Sequence, residues 1–352
     1  MKKLLSLLLL IGFCSGVYGQ TADKLIAEGI SLHDKNDPEG AIAKYDAALK
    51  LEPANYAAMY EKSLSLMELK RYSESEDLLK TILEDCKDKE YRRLSYVNYG
   101  TLLDYQKEPK KSIKVYEKGI KEFPDNYLLY YNKGITQLGV GDEDEAMESF
   151  KSAAARNPYH ASSHNALARM VAGENRIPAI LALVDFLLIE SKGKRAEGNL
   201  ELLNSLIMRG VKKTGEKSTT ISIDASILDK KKKKKDDDFS TAEFMLSLLA
   251  ASNEVPDSLG ARTEGDRLSY KLQMLINIIG EEDKKDDGFF KSFYVPFFKE
   301  MKKNDLVTIA SHIILSSTGD KAIDQWLKEN KDDVEGFYRW FENYKWIVAG
   351  SL

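Results

Sequence analysis

The chain has 352 residues, of which 52 are Lys or Arg and 56 are Asp or Glu, so its formal net charge is −4 at neutral pH. This slightly acidic balance argues against nucleic-acid binding, which needs a net basic face. The length is sufficient for two domains, and both halves contain enough apolar and aromatic residues to exclude disorder by composition.

The N-terminus has the pattern of a secretory signal peptide. Lys2 and Lys3 precede an apolar stretch from residue 4 to 13, and small residues follow shortly before Gln20. A helix of about ten residues spans only about 15 Å, about half of a hydrocarbon core. Cleavage before Gln20 is therefore favoured over a permanent membrane span.

The two cysteines bear on localisation and on stability. Cys14 follows the bulky Phe13, whereas a lipoprotein signal needs a small residue there, so lipid anchoring is not expected. After cleavage only Cys86 remains, which excludes an internal disulfide and favours a buried structural thiol over a reactive one. We expect an exported protein, periplasmic or associated with the outer membrane, with no membrane span after cleavage.

Four copies of one pattern fill most of the first half, with a period of about 34 residues. Small residues occupy the first two columns, Tyr, Phe or Leu the third, Ala, Gly or Ile the fourth, and mainly Pro the fifth. The columns are Gly29, Ser63, Gly100 and Gly134; Ala41, Ser75, Ser112 and Ala146; Tyr45, Leu79, Tyr116 and Phe150; Ala48, Ile82, Gly119 and Ala153; and Pro53, Lys87, Pro124 and Pro158. Small residues let the two helices of a hairpin approach closely, and Pro ends the second helix. Such hairpins bury their apolar faces only by stacking, which predicts a helical solenoid with a concave surface.

This pattern resembles the tetratricopeptide repeat family. The match is closest from Gly29 to Pro53 and from Tyr127 to His160, whereas the copy from Tyr56 is degenerate and a fifth copy, from Ala161 to Phe186, is weaker. The resemblance covers about half of the chain, roughly residues 22 to 192. It implies a scaffold that binds protein or peptide partners in the groove lined by helix A of each hairpin.

The resemblance also implies which residues line that groove. The family's geometry places them at the second, fifth, ninth and twelfth residues of each copy. The fifth and ninth residues are Ile26, Ile30, Tyr60, Leu64, Val97, Thr101, Tyr131 and Ile135. Their apolar character favours an apolar helix or extended segment as ligand over the capture of a C-terminal carboxylate by lysines and asparagines.

A block of like charges separates the repeats from the rest of the chain. Residues 230–235 are all Lys and residues 236–238 are all Asp, a pattern typical of a solvated loop. An anchor for anionic lipid or acidic glycans is disfavoured because the aspartates cancel the field of the lysines. The predicted boundaries are a signal peptide at 1–19, repeats at 20–192, a helical extension at 193–211, a charged flexible linker at 212–238 and a helical domain at 239–352.

The C-terminal half has helical periodicity without repeat columns. Phe289, Phe293 and Phe297 are four residues apart, and Pro296 predicts either a kink or a new helix start. Aromatic residues of this kind usually form a core. The alternative is that Trp340, Tyr344 and Trp346 are partly exposed and form a docking patch or a sugar-stacking surface.

The sequence contains partial matches to nucleotide-binding and metal-binding motifs, and each lacks a residue that its motif requires. Gly210 to Gly215 imitates a phosphate-binding loop, but Glu216 stands where the motif needs Lys. His160 and His164 have the spacing of a metal pair but no third ligand, and the acidic loop at 281–288 lacks the carboxylates of a calcium site. No catalytic residue, metal or cofactor is predicted.

The sequence therefore predicts an all-α, exported, non-enzymatic scaffold: a tetratricopeptide-type solenoid followed by a separate helical C-terminal domain. A rival hypothesis makes the C-terminal domain an enzyme or carbohydrate-binding module that the repeats position. A third hypothesis is self-association through the repeats.

Overall fold

The computed structural model describes residues 21–214, 219–222, 237–251, 263–281 and 288–346. Over these residues the chain forms seventeen α-helices and one two-stranded sheet, so the all-α prediction is confirmed. Within the described ranges, no helix combines the length and the apolarity needed to cross a membrane. The predicted signal peptide, the lysine run at 230–235 and most of the acidic loop lie outside the described residues.

The chain divides into two compact units, Met1–Glu108 and Pro109–Leu352. The helices of the first unit are α1 Ala22–His33, α2 Pro38–Leu51, α3 Tyr56–Glu68, α4 Tyr72–Asp85 and α5 Lys89–Tyr105. The elements of the second unit up to its sheet are α6 Pro109–Glu122, α7 Tyr127–Gly139, α8 Glu143–Arg156, α9 Ala161–Val171, α10 Arg176–Ile189, α11 Lys194–Ile207, β1 Val211–Lys213 and β2 Thr219–Ile221. The remaining helices are α12 Ser240–Ala251, α13 Glu264–Glu281, α14 Phe289–Lys303, α15 Val307–Ile314, α16 Lys321–Glu329 and α17 Lys331–Asn343, with a 3₁₀ turn at Leu315–Thr318.

Helix A of each of the four copies ends in the same turn. One residue after each helix has a left-handed backbone, and the next N–H donates to a carbonyl five residues earlier at 2.8 to 3.0 Å. The left-handed residues are Asn36, Lys70, Lys107 and Gly141, with φ of 64°, 60°, 64° and 87°. This is the Schellman geometry that satisfies the last carbonyls of a helix. The repeat predicted from the columns is therefore present as four equivalent turns.

The first column allows close packing within a hairpin, as predicted. A Cβ built on Gly29 would lie 2.4 Å from Cε1 of Tyr45, and one built on Gly134 would lie 2.8 Å from Cε1 of Phe150. Ser63 occupies this column in α3, and its carbonyl oxygen accepts a hydrogen bond of 2.9 Å from the Ser75 hydroxyl. The hairpins of both units therefore use small residues at the same helix-to-helix contact.

Helix α10 is the centre of the second unit. Every residue from Arg176 to Leu188 is buried, including the ionisable Asp185. The helix contacts α9 and α11 on the repeat side and α12, α14 and α15 on the C-terminal side. One continuous apolar core extends from Ala146 to Trp346.

The C-terminal helices share one apolar core with the last repeat helices. The sequence predicts a separate helical domain from residue 239, but the structure packs these helices on the second helix of the fifth copy. The reason is that α10 is apolar on all sides, so it buries surface against α12, α14 and α15 as well as against α9 and α11. The compact division of the chain falls after Glu108, and the boundaries at 192, 211 and 238 stay predictions.

Arg176 joins three helices at the start of α10. Its Nε donates to Oε2 of Glu243 at 2.6 Å, and Nη1 donates to the carbonyl oxygens of Leu206 and Arg209 at 3.3 and 3.0 Å. Its Nη2 donates to the carbonyl of Glu243 at 2.6 Å and to Oγ of Ser247 at 2.5 Å. All the guanidinium nitrogens of this residue, which is 2% exposed, are therefore hydrogen-bonded to α12 or to the end of α11.

Both described ends of the predicted flexible linker belong to the fold. Strand β1 pairs antiparallel with β2, with Lys212 opposite Thr220. Asp237 accepts hydrogen bonds from the backbone N–H groups of Phe290 and Lys291 at 3.1 and 2.9 Å, so it caps the N-terminus of α14. Lys212 and Lys213 are therefore held by strand pairing and Asp237 by helix capping, which charge patterning does not reveal.

The α14 helix runs through Pro296 without a break. The alternative prediction that a new helix begins at this residue is therefore wrong. The helix tolerates the ring because packing of its aromatic side chains supplies most of its stability, and Phe293, Phe297 and Phe298 are all buried.

Candidate protein-binding surfaces of the repeats

In the first unit, the predicted groove positions differ in exposure. The fifth residues Ile26 and Tyr60 are each only 8% exposed. The ninth residue Ile30 is 37% exposed, and Leu64 is partly exposed. Because a partner can contact only exposed atoms, the ninth column offers more apolar surface here than the fifth.

The third copy belongs to the same unit and has a less apolar surface. Val97 and Thr101 are both partly buried, and the Thr101 hydroxyl donates to the Val97 carbonyl at 3.0 Å. Asn98, beside them, donates to the Tyr60 hydroxyl at 2.7 Å, which fixes that ring between α3 and α5. The Tyr60 side chain therefore contributes to the packing of α3 against α5 as well as being a candidate ligand contact.

In the second unit, α7 carries an exposed apolar row. Ile135 is 46% exposed and Leu138 is 41% exposed, and Tyr131 is partly exposed one turn before them. These three residues have i, i+4, i+7 spacing and therefore share one face of the helix. Leu138 is the twelfth residue of its copy, so using the twelfth column as well as the fifth and ninth would have found it.

His160 connects this row to the next helix pair. Its ring centroid lies 4.8 Å from the rings of both Tyr127 and Tyr131, and its Nδ1 lies 2.8 Å from Oγ of Ser163. Burial lowers the pKa of His160 to about 4, and the nearby charge of Arg195 acts in the same direction. The ring is therefore neutral at physiological pH and acts as an aromatic surface.

The fifth copy presents polar groups in the same columns. Asn165 and Arg169 are its fifth and ninth residues, and the Arg169 Nε donates to Oδ1 of Asn165 at 2.9 Å. From α11, Asn199 accepts from Nη2 of Arg169 at 3.2 Å, and Arg195 donates to Oγ of Ser162 at 3.1 Å. Reasoning from the sequence missed these residues because this copy matches the repeat pattern only weakly.

The suggested aromatic docking patch is largely part of the core. Trp346 is only 8% exposed, and its ring stacks on Phe297 and Phe293 with centroid distances of 4.5 and 4.9 Å. The expected exposure is therefore wrong for Trp346, because two phenylalanines of α14 cover it. Trp340 and Tyr344 remain partly exposed, and their role in docking stays a prediction.

His164 lies in a buried polar cluster. Its Nε2–H donates to the Pro158 carbonyl at 2.8 Å, so its Nδ1 accepts from the Tyr294 hydroxyl at 2.7 Å. Oδ2 of Asp185 lies 3.2 Å from the same Nδ1, and neither Asp185 oxygen has a hydrogen bond. Burial raises the pKa of Asp185 well above its usual range and lowers that of His164 to about 4. The two groups are therefore neutral together.

The hairpins are equivalent and share the first column of small residues. Such hairpins define a helical-repeat scaffold, a class of protein that binds other proteins. Residues 26–90 and 100–173 match the tetratricopeptide repeat family, so these residues are tetratricopeptide repeats. The match does not extend into the C-terminal half. The recognised half is a module of a kind that is usually non-enzymatic and takes protein or peptide partners.

Solved structures of tetratricopeptide repeat proteins resemble about half of the chain. YrrB, described as a TPR protein with an unusual peptide-binding site, is 23% identical over 48% of this chain and 87% of its own, with a TM-score of 0.36. TTC0263, a thermophilic TPR protein from Thermus thermophilus, is 17% identical over 53% of this chain and 100% of its own, with a TM-score of 0.42. PilF from Pseudomonas aeruginosa is 16% identical over 53% of this chain and 89% of its own, with a TM-score of 0.45.

Proposed function

We propose that the protein is a non-enzymatic interaction scaffold of the bacterial cell envelope, and that it binds a peptide or a partner helix against the helix-A face of its repeats. The observation that carries this proposal is the exposed apolar row of Tyr131, Ile135 and Leu138 on α7. Single apolar residues are common on protein surfaces, but contiguous ones usually mark an interaction site.

The repeats of the first unit also present apolar residues to which a ligand could bind. Ile30 and Leu64 occupy the same column as Ile135 and present apolar atoms at the surface. An apolar ligand segment that contacts one residue per copy of this unit would bury Ile30 and Leu64, and that burial favours association.

The N-terminal sequence supports the envelope location. Lys2 and Lys3 followed by the apolar stretch 4–13 form the charged and apolar regions of an export signal. A fusion of alkaline phosphatase after Leu352 tests this, because the enzyme becomes active only outside the cytoplasm. We expect activity in intact cells and its loss in the Leu8→Arg variant, which disrupts the apolar region. Equal activity of the two fusions would contradict export by this signal.

Site-specific photocrosslinking tests the binding face. A benzophenone side chain replaces Ile135 in one variant and Phe244 in another. Phe244 is a matched control, because it is 37% exposed and lies with the exposed Leu248 on a different helix, α12. We expect partner adducts in envelope extract from position 135, and their loss when Leu138→Asp is added. Adducts of equal yield from position 244, or none from position 135, would contradict binding at the helix-A face.

A further inference from the structure

The chemistry of the helix-A face changes between the fourth and fifth copies. Tyr131 and Ile135 of α7 occupy the same repeat columns as Asn165 and Arg169 of α9. Equivalent columns of successive hairpins face the same side of a solenoid. A ligand that crosses this face therefore meets apolar side chains first and an arginine next.

Hydrogen bonds fix the guanidinium of Arg169 and leave one of its nitrogens available to a ligand. Its Nε and Nη2 donate to the side-chain oxygens of Asn165 and Asn199, and Asn199 is 1% exposed, so its amide is fixed within the protein. Among the described residues no hydrogen bond or ion pair reaches Nη1, while the residue as a whole is exposed. A guanidinium whose rotamer is already fixed loses little entropy when it binds a carboxylate.

The apolar row and the arginine are parts of one surface. The ring of His160 contacts that of Tyr131 edge-on, with the centroids 4.8 Å apart, and the charge of Arg195 is close enough to act on His160. Arg195 in turn contacts Ser162 at the start of α9. Its own charge is balanced by Glu190 at 3.4 Å, whereas the two partners of Arg169 are neutral amides. Among the described residues, Arg169 therefore carries a positive charge on this surface that no ion pair compensates.

We propose that this face binds a peptide segment whose apolar side chains are followed by an acidic side chain. Tyr131, Ile135 and Leu138 contact the apolar part, and Arg169 binds the side-chain carboxylate through Nη1. This inference rests on the proposed function and specifies the chemistry of the partner. Charge complementarity sets the choice of ligand, since an apolar or basic continuation would leave the guanidinium without a counter-ion.

Selection from a displayed library of random 12-residue peptides tests this inference. The peptides are fused to the coat protein at their C-termini, so selected carboxylates belong to Asp or Glu side chains. Targets are the full chain, its Arg169→Gln variant, its Ile135→Ser/Leu138→Ser variant, and Arg339→Gln as control, since the Arg339 side chain is 70% exposed on α17. Individual peptides are then compared with their Glu→Gln forms by fluorescence anisotropy.

We expect apolar peptides enriched in Asp and Glu on the wild-type and R339Q chains, with a loss of about three- to fivefold in affinity when Glu becomes Gln. The R169Q variant should still select apolar peptides but lose the acidic preference. Apolar peptides without acidic preference on the wild type would overturn this inference and leave the proposed function standing. Failure to select any peptide dependent on Ile135 and Leu138 would overturn both.

Discussion

Gly134 lies directly against the ring of Phe150, so close that a Cβ at this position would be 2.8 Å from Cε1 of the ring. Gly29 and Tyr45 have the same relationship at the equivalent positions of the first hairpin. The glycine is therefore required by the approach of two helices and not by its backbone freedom.

The Gly134→Ala variant should be destabilised. Overpacking against a fully buried ring costs about 1–3 kcal/mol, which exceeds the gain of up to about 1 kcal/mol from the helix propensity of Ala. Gly139 is the matched control, because it lies on the same helix and a Cβ there would meet nothing within 4 Å. Urea unfolding should show a loss of about 1–2 kcal/mol for G134A and none for G139A. Equal stability of the two variants would mean that the hairpin is not close-packed at this column.

Replacing Lys70 with Gly should stabilise the first unit. Lys70 has φ of 60° in the turn after α3, a conformation that is unfavourable for a residue with a Cβ. Gly removes this strain at some cost in unfolded-state entropy, so we expect a gain of about 0.5–1 kcal/mol in the free energy of unfolding. The control is Lys35→Gly, because Lys35 precedes the left-handed position of its own turn. Thermal unfolding should shift upward for K70G and downward for K35G; the opposite order would exclude backbone strain at Lys70.

The Asp185→Asn variant should be more stable than the wild type at neutral pH. Both carboxyl oxygens are buried without a hydrogen bond, and burial raises the pKa of Asp185 well above its ordinary value of 3.8. Between 3.8 and the raised folded pKa, the folded chain holds a proton that the unfolded chain releases. The contribution of Asp185 to stability is therefore greatest below the unfolded pKa and is lost as pH rises through this window.

The measurement is the free energy of unfolding of D185N and wild type from pH 5 to 8. We expect the difference in favour of D185N to grow as pH rises, reaching about 1–3 kcal/mol, the cost of a buried unsatisfied polar group. A difference that shrinks as pH rises would show that the carboxylate is stabilised in the fold, contrary to its surroundings.

Removing the guanidinium of Arg176 should leave Glu243 as an uncompensated charge. The Glu243 side chain is 15% exposed and also accepts a hydrogen bond from the backbone N–H of Ile177 at 3.2 Å. Arg176→Met should therefore destabilise the chain by about 3–5 kcal/mol, and adding Glu243→Gln should recover part of that loss. Denaturant unfolding of both single variants and the double variant measures the coupling. Additive losses would show that the two side chains do not act as a pair.

The sequence predicted the repeats well because their signals are local. Small residues, aromatic residues and Pro recur at fixed intervals, and each fixes a contact within its own hairpin, such as that of Gly134 with Phe150. The left-handed residues after each helix A were not predicted, because lysines such as Lys70 and Lys107 do not indicate a left-handed backbone. The groove prediction was partial, since repeat columns identify a face of the helix but not how much of Tyr60 or Ile135 neighbouring side chains cover.

By itself the sequence determined the helical class and the repeat period, both of which follow from residue spacing along a helix. Tertiary structure alone decided that α10 packs against the C-terminal helices α12, α14 and α15, that Asp237 caps α14, and that Asn199 of α11 accepts a hydrogen bond from Arg169. These relationships join residues far apart in the chain. Their existence depends on which surfaces remain to be buried once the hairpins have formed, and no local pattern records that.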